Sequence, residues 1–234
     1  MANSARNLPG SEERRVQNNE VDINPLDNVE AFYENNKKNI NTITTVILLV
    51  IIGYFAYTKL YKGPAEEKAA TALSFSQLYF SADSLNLALN GDGKNMGFTK
   101  IASKYSSTSA GNLAHYYEGV CYLKMGDAKS AIKALKEFNG KGTVIGAQAY
   151  GALGEAYMET GDKTNAIDCF KKASEDKNNG ITTPMFLFQL ALAYDANGNS
   201  AEAKAAFKRI RDEFPKSIQA RDIDKELARL GELN

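Results

Sequence analysis

The sequence predicts an all-α protein, a single transmembrane helix followed by an α-solenoid of antiparallel helical hairpins. Three observations lead there. Residues 39–58 carry no charged side chain, a stretch about 30 Å long as a helix, which matches the hydrocarbon thickness of a bilayer. Beyond residue 107 the chain repeats itself at spacings of 35 and 37 residues, the period of helical-repeat arrays. No segment sustains the apolar–polar alternation of a half-buried strand, so no sheet is expected.

Composition excludes several function classes. The 28 basic residues balance 28 acidic ones, which argues against bulk attraction to nucleic acid. One His and two Cys 48 positions apart cannot build a Cys/His zinc site or a CxxC redox pair. No metal, no cofactor, no small-molecule substrate and no nucleic-acid partner is expected. His115 falls on a repeat packing position and reads as a core histidine. Cys121 and Cys169 each adjoin a repeat signature residue and read as buried thiols, with a disulfide left open in an oxidising compartment. Asn90-Gly91-Asp92-Gly93-Lys94 lacks the phosphate-loop spacing and the acidic positions of a calcium loop, and reads as a turn. No nucleophile and base can be paired, so catalysis is not expected.

Taken in order, residues 1–38 form a polar tail, mostly disordered because it has too little apolar surface to offset chain entropy. Leu26, Val29 and Tyr33 within it make a weak helical stripe, either a short juxtamembrane helix or a loop. Residues 39–61 form the membrane helix, strongest over Val46–Tyr57, with Lys37 and Lys38 before it and Lys59 and Lys62 after it. Tyr54, Tyr57 and Tyr61 cluster at one end like an interfacial belt. A late signal segment and a core helix are the alternatives, and the flanking charges do not set an orientation. Gly63-Pro64 predicts a break, with Pro64 opening a new helix and Glu66 and Glu67 in its first turn. Residues 64–107 read as a degenerate leading hairpin region, 108–216 as three repeats, and 217–234 as a capping helix with Ile218, Ile223, Leu227 and Leu230 on its apolar face.

The repeat rests on spaced identities. Gly126-Asp127, Gly161-Asp162 and Gly198-Asn199 are each preceded, four residues earlier, by Tyr122, Tyr157 and Tyr194. Ala131, Ala166 and Ala203 follow five residues after each Gly, and Leu135, Phe170 and Phe207 four residues later. A Gly able to take positive φ ends the first helix, and the Asp or Asn after it can cap the second. Small residues at Gly119, Gly154 and Ala191 let the two helices of each hairpin approach closely.

These positions resemble the tetratricopeptide repeat family, whose unit is two antiparallel helices in about 34 residues. The second repeat matches best, with Leu153-Gly154, Tyr157, Gly161, Ala166, Phe170 and Ala173 all in register. The first repeat departs by placing Glu118 where a Leu is usual, and His115, Tyr150 and Leu187 stand where the family often has Trp. The resemblance implies an inner surface lined by set positions of each first helix. Those are Leu113, Tyr116, Val120 and Leu123, then Gln148, Gly151, Glu155 and Met158, then Met185, Phe188, Leu192 and Asp195. The apolar members, Leu113, Tyr116, Val120, Leu123, Met158, Met185, Phe188 and Leu192, form a candidate protein-binding groove for an apolar segment. The leading helices could instead fill that groove from within the chain.

The whole layout, a polar tail with Val29-Glu30-Ala31-Phe32-Tyr33-Glu34-Asn35-Asn36-Lys37-Lys38, one membrane helix and a repeat domain, is similar to the ancillary subunits of the bacterial Sec translocon (YfgM-like). That likeness implies a single-pass inner-membrane protein with a cytoplasmic N-terminus and a periplasmic repeat domain. It also implies three partners: the Sec channel, a membrane-anchored isomerase-like chaperone and emerging polypeptides. Read this way the chain is an adaptor or chaperone accessory. The alternative is a structural scaffold for a cell-envelope assembly or division complex.

Overall fold

The computed structural model describes residues 25–232; residues 1–24 of the expected disordered tail lie outside them, and residues 25–38 belong to the first helix. The described residues are helical, with no strand among them and one isolated bridge between Gly91 and Met96. They divide into two units after Phe55.

The first unit is α1 (Pro25–Ala56). Its stretch after Leu26, left open between helix and loop, is helical, and Lys37 and Glu34 pair there at 2.7 Å. Val46, Leu49, Val50 and Ile52 are each more than half exposed. Among the described residues, none of the apolar window of this helix is buried, as a core helix would be. The helix is long and apolar enough to cross a membrane.

In the second unit the expected break at Gly63-Pro64 does not occur. A π-helical segment (Tyr57–Lys62) leads straight into α2 (Gly63–Ser81), and Gly63 N–H bonds to Thr58 O, five residues back. Pro64 has no N–H and its ring crowds the carbonyl four residues earlier, so the wider π turn absorbs a residue that would otherwise kink the helix. Tyr57 and Tyr61 stack along this turn with centroids 5.6 Å apart.

α2 packs with α3 (Leu85–Asn90), α4 (Phe98–Lys104) and one side of α5 (Ser109–Lys124) around Leu73, Leu89, Phe98 and Ile101. Fully buried Ser76 donates to Met96 O at 2.7 Å. Leu87, by contrast, is exposed. The Asn90–Lys94 stretch is a turn, with Asp92 accepting from Tyr79 Oη and from the amides of Lys94 and Asn95. Those donors hold the Asp92 carboxyl well below its usual pKa.

Glu66 joins this cluster to the repeats. Its carboxylate accepts from Ser109 N at 2.7 Å and Ala110 N at 2.9 Å, capping α5 from a helix more than 40 residues away. Charge-assisted bonds to an N-terminus that has orphan donors are stronger than neutral ones. Glu66→Ala is expected to lower stability by about 1–2 kcal/mol, measured by urea denaturation of the full chain in micelles.

Three hairpins follow: α5 with α6 (Ala128–Glu137), α7 (Val144–Glu159) with α8 (Lys163–Ala173), and α9 (Thr182–Ala196) with α10 (Ser200–Glu213). Gly126, Gly161 and Gly198 all have φ near +80°, the left-handed turn expected between paired helices. Asp127 caps α6 by accepting from Ser130 N, and Asp162 caps α8 through Asn165 N. Asn199 does not cap α10; its Oδ1 accepts instead from Asn197 Nδ2. The small residues sit where they were expected. A Cβ at Gly119 would lie 2.4 Å from Leu135 Cγ, and one at Gly154 would lie 2.7 Å from the Phe170 ring. Phe170, Leu187, Phe207 and Ile210 fill the space between hairpins. A 3-10 turn (Gln219–Asp222) and α11 (Ile223–Arg229) close the array with Ile223 and Leu227 buried. Ile218 is 74% exposed, because it precedes the turn that aims this helix at the core.

Hydrogen bonds to the capping carboxylates lower the pKa of both Asp127 and Asp162. A depressed folded-state pKa means that these caps contribute fully above the ordinary carboxylate range and lose their contribution as pH falls through it. Asp127→Asn with Asp162→Asn should therefore flatten the loss of stability below about pH 4, read from urea midpoints across that range.

Candidate protein-binding groove

The site is built from the first helices of the hairpins. The entries of the first two are pinned by threonine caps. Thr108 caps α5 by accepting from Gly111 N and donating to Tyr105 O, while Thr143 does the same in α7 with Gly146 N and Gly140 O. These two Thr-x-x-Gly units are 35 residues apart, so the repeat period itself could have revealed them. Asn112 adds a two-way bond to the Asn139 backbone, which ties the α6–α7 loop to α5.

On these helices Tyr116, Val120, Leu123 and Met185 line one cavity of about 390 Å³. Gln148 and Glu155 line it as the sequence placed them, and Ala152, Phe186 and Lys124 also contribute. Gly151 does not face the cavity as an open floor: a Cβ there would strike the Phe186 ring at 2.0 Å, so its smallness admits the next hairpin. The other four candidates lie elsewhere. Leu113 packs on the leading cluster, and Met158, Phe188 and Leu192 pack against the repeat core. Phe188 meets Phe207 edge-on at 5.5 Å, which draws it toward its own hairpin partner.

The leading helices cover part of α5 and stop short of the groove. Tyr117 stacks on Phe98 at 5.1 Å and meets Phe80 at 5.4 Å. No residue between 64 and 107 lines the Tyr116 cavity. Lys124 marks the boundary, with its ammonium 3.4 Å from Asp83 and 5.2 Å above the Phe80 ring. The apolar walls strip water from the polar groups that remain. Desolvation, then Tyr117 and Glu155, raise the Tyr116 pKa. Desolvation and then Glu159 raise that of Glu155, even though its side chain reaches solvent.

Other candidate residues are outside this groove. His115 Nδ1 faces Glu118 at 3.6 Å, in the place where a leucine would ordinarily pack. Cys121 and Cys169 are free and buried, and burial pushes their thiols up to about 12 and about 11. Neither has the thiolate character of a reactive cysteine.

Helical hairpins of about 35 residues, turned by positive-φ glycines and closed by a terminal helix, define a tetratricopeptide-type α-solenoid. Family models for the tetratricopeptide repeat match residues 113–141, 147–175 and 186–217, so the chain carries three such repeats and has the build of a protein–protein interaction module. Among solved structures, the crystal structure of MamA protein is 21% identical, with a TM-score of 0.53 over 64% of this chain and 74% of that one. A second crystal structure of MamA is 22% identical, with a TM-score of 0.49 over 74% of this chain and 88% of that one. No curated protein matches the chain.

Proposed function

We propose that this is a membrane-anchored adaptor that holds an apolar segment of another polypeptide in the Tyr116–Val120–Leu123–Met185 groove. One observation carries the reading: Tyr116, Val120, Leu123 and Met185 form a half-buried apolar wall of the groove, and the chain's own leading helices leave it uncovered. Exposed apolar concavities of this kind suit an inserted helix or extended segment, and Met185 supplies an adaptable wall. Residues 39–61, the later part of α1 and most of the π-helical segment after it, are the anchor, which raises the local concentration of the repeats at a membrane exit site.

The finer reading places the adaptor at the Sec translocon, beside a membrane-anchored isomerase-like chaperone and emerging polypeptides. The N-terminus is then cytoplasmic and the repeats periplasmic. It is supported by the likeness of the layout to ancillary translocon subunits. The test is affinity purification of tagged full-length protein from gently solubilised membranes, followed by mass spectrometry. Three forms are compared: the natural chain, Val120→Asp with Met185→Asp, and a chain whose residues 39–58 are replaced by an unrelated membrane helix. Enrichment of the Sec channel and an isomerase-like chaperone, with clients lost from the Asp variant, is the expected result. Recovery of cell-envelope assembly proteins in their place would overturn the translocon reading, and an Asp variant that folds and keeps every partner would overturn the groove.

A further inference from the structure

A second groove lies on the other side of α7. At about 100° per residue, Gln148, Ala152 and Glu155 share one side of that helix, while Tyr150, Leu153 and Tyr157 share the opposite one. On this opposite side α6, the α6–α7 loop and α8 bound a cavity of about 360 Å³. Three lysines line it from three separate pieces of chain: Lys136 from α6, Lys141 from the loop and Lys172 from α8. Asn139 and Asn165 add amides. Asp168 is the one acidic residue in the lining, and it lies 3.8 Å from Lys171.

Two of the ammonium groups are held in place by aromatic rings. Lys136 sits 5.6 Å from the centroid of Tyr157, and Lys172 sits 5.4 Å from that of Tyr150. Those rings are seven residues apart on α7, or about 10 Å along its axis. A single small anion meets only one such charge. A polyproline-type extended chain has three residues per turn and rises about 3.1 Å per residue, so carboxylates three residues apart lie on one side at about 9 Å. The two rings over which the lysines sit are therefore spaced about as an acid-x-x-acid segment spaces its carboxylates, and Leu153, between them on α7, lies in the lining where an apolar side chain between the acids would rest.

We propose that this groove binds an extended acidic segment of a partner polypeptide, independently of the apolar groove on the other side of α7. Charge complementarity sets both the affinity and its salt dependence. The probe is a fluorescein-labelled peptide containing Glu-Pro-Phe-Glu, titrated by anisotropy with the full chain in neutral-lipid nanodiscs. Lys136→Gln and Lys172→Gln change exposed side chains and should leave the helical circular dichroism signal intact. Each is expected to weaken binding by about tenfold, as should replacing both glutamates of the peptide with glutamine, while Lys225→Gln, an exposed lysine of α11 outside both grooves, leaves the affinity unchanged. Equal binding of the glutamine peptide, or no effect of either lysine variant, overturns the proposal. So does displacement by inorganic phosphate as effective as by unlabelled peptide, which would make this a small-anion site. Capture by phosphatidylglycerol vesicles through the same lysines, without peptide binding, overturns it in favour of a lipid surface.

Discussion

Phe170→Ala is expected to cost about 3–5 kcal/mol, the range for emptying a fully buried aromatic site. The ring is 1% exposed, lies against Gly154 of the paired helix and shares the core cluster with Leu153, Leu187 and Phe207. Because it belongs to the middle hairpin, the cavity weakens the packing of α8 on both α7 and α9. In a linear array each hairpin is held only by its neighbours, so the loss is large against a total stability of about 5–15 kcal/mol. Urea denaturation followed by far-UV circular dichroism should show a lower midpoint and a broader transition as the outer hairpins uncouple. Thr164→Ala, at an exposed position of the same helix, is the control and should stay within about 0.5 kcal/mol. A Phe170→Ala midpoint no lower than that of the control would show that the hairpins do not depend on this ring.

Gly146→Ala is expected to lower stability by about 1–3 kcal/mol, the cost of overpacking a closed site, although Ala favours a helix more than Gly does. The reason is backbone geometry. A Cβ at this position would lie 1.8 Å from the carbonyl oxygen of Gly140, and no side chain can move aside. Either the first turn of α7 frays or the loop opens and the Thr143 hydroxyl loses its bond to Gly140 O. Gly111→Ala meets the same obstacle at Tyr105 O, 1.9 Å away, and should behave alike. Gly180→Ala is the counter-case: nothing lies within 4 Å of its Cβ, so there the smaller entropy of the unfolded chain should leave the protein unchanged or slightly more stable. Hydrogen exchange would locate the damage, with faster exchange expected at the start of α7 in Gly146→Ala and no change there in Gly180→Ala.

The array was legible because its rules are local. A Gly at positive φ, an Asp one residue later and a small residue where helices cross are each required by the backbone of a single hairpin, and their spacing repeats. The capping of α10 was misjudged for the same reason: Asn199 has a nearer partner in Asn197, a competition that identity at one position does not reveal. Gly63-Pro64 also looked like an interruption because proline breaks an α-turn, whereas the chain meets it with a π turn and stays helical. The groove was half legible. Counting positions along the first helices finds residues that line one cavity, as Tyr116, Val120, Leu123 and Met185 do. It does not show what approaches them from elsewhere. Leu113 packs on the leading cluster, and Phe188 turns to Phe207.

By itself the sequence determined the helical class, the three hairpins with their turns and close crossings, and an apolar helix near the N-terminus, since each depends on residues close together in the chain. Only the tertiary structure decided the rest. It joined Glu66 to the start of α5, brought four of the eight candidate groove residues to one cavity, and set lysines from three pieces of chain around the opposite side of α7. Such choices rest on contacts between segments distant in sequence, whose distances and orientations no local spacing encodes.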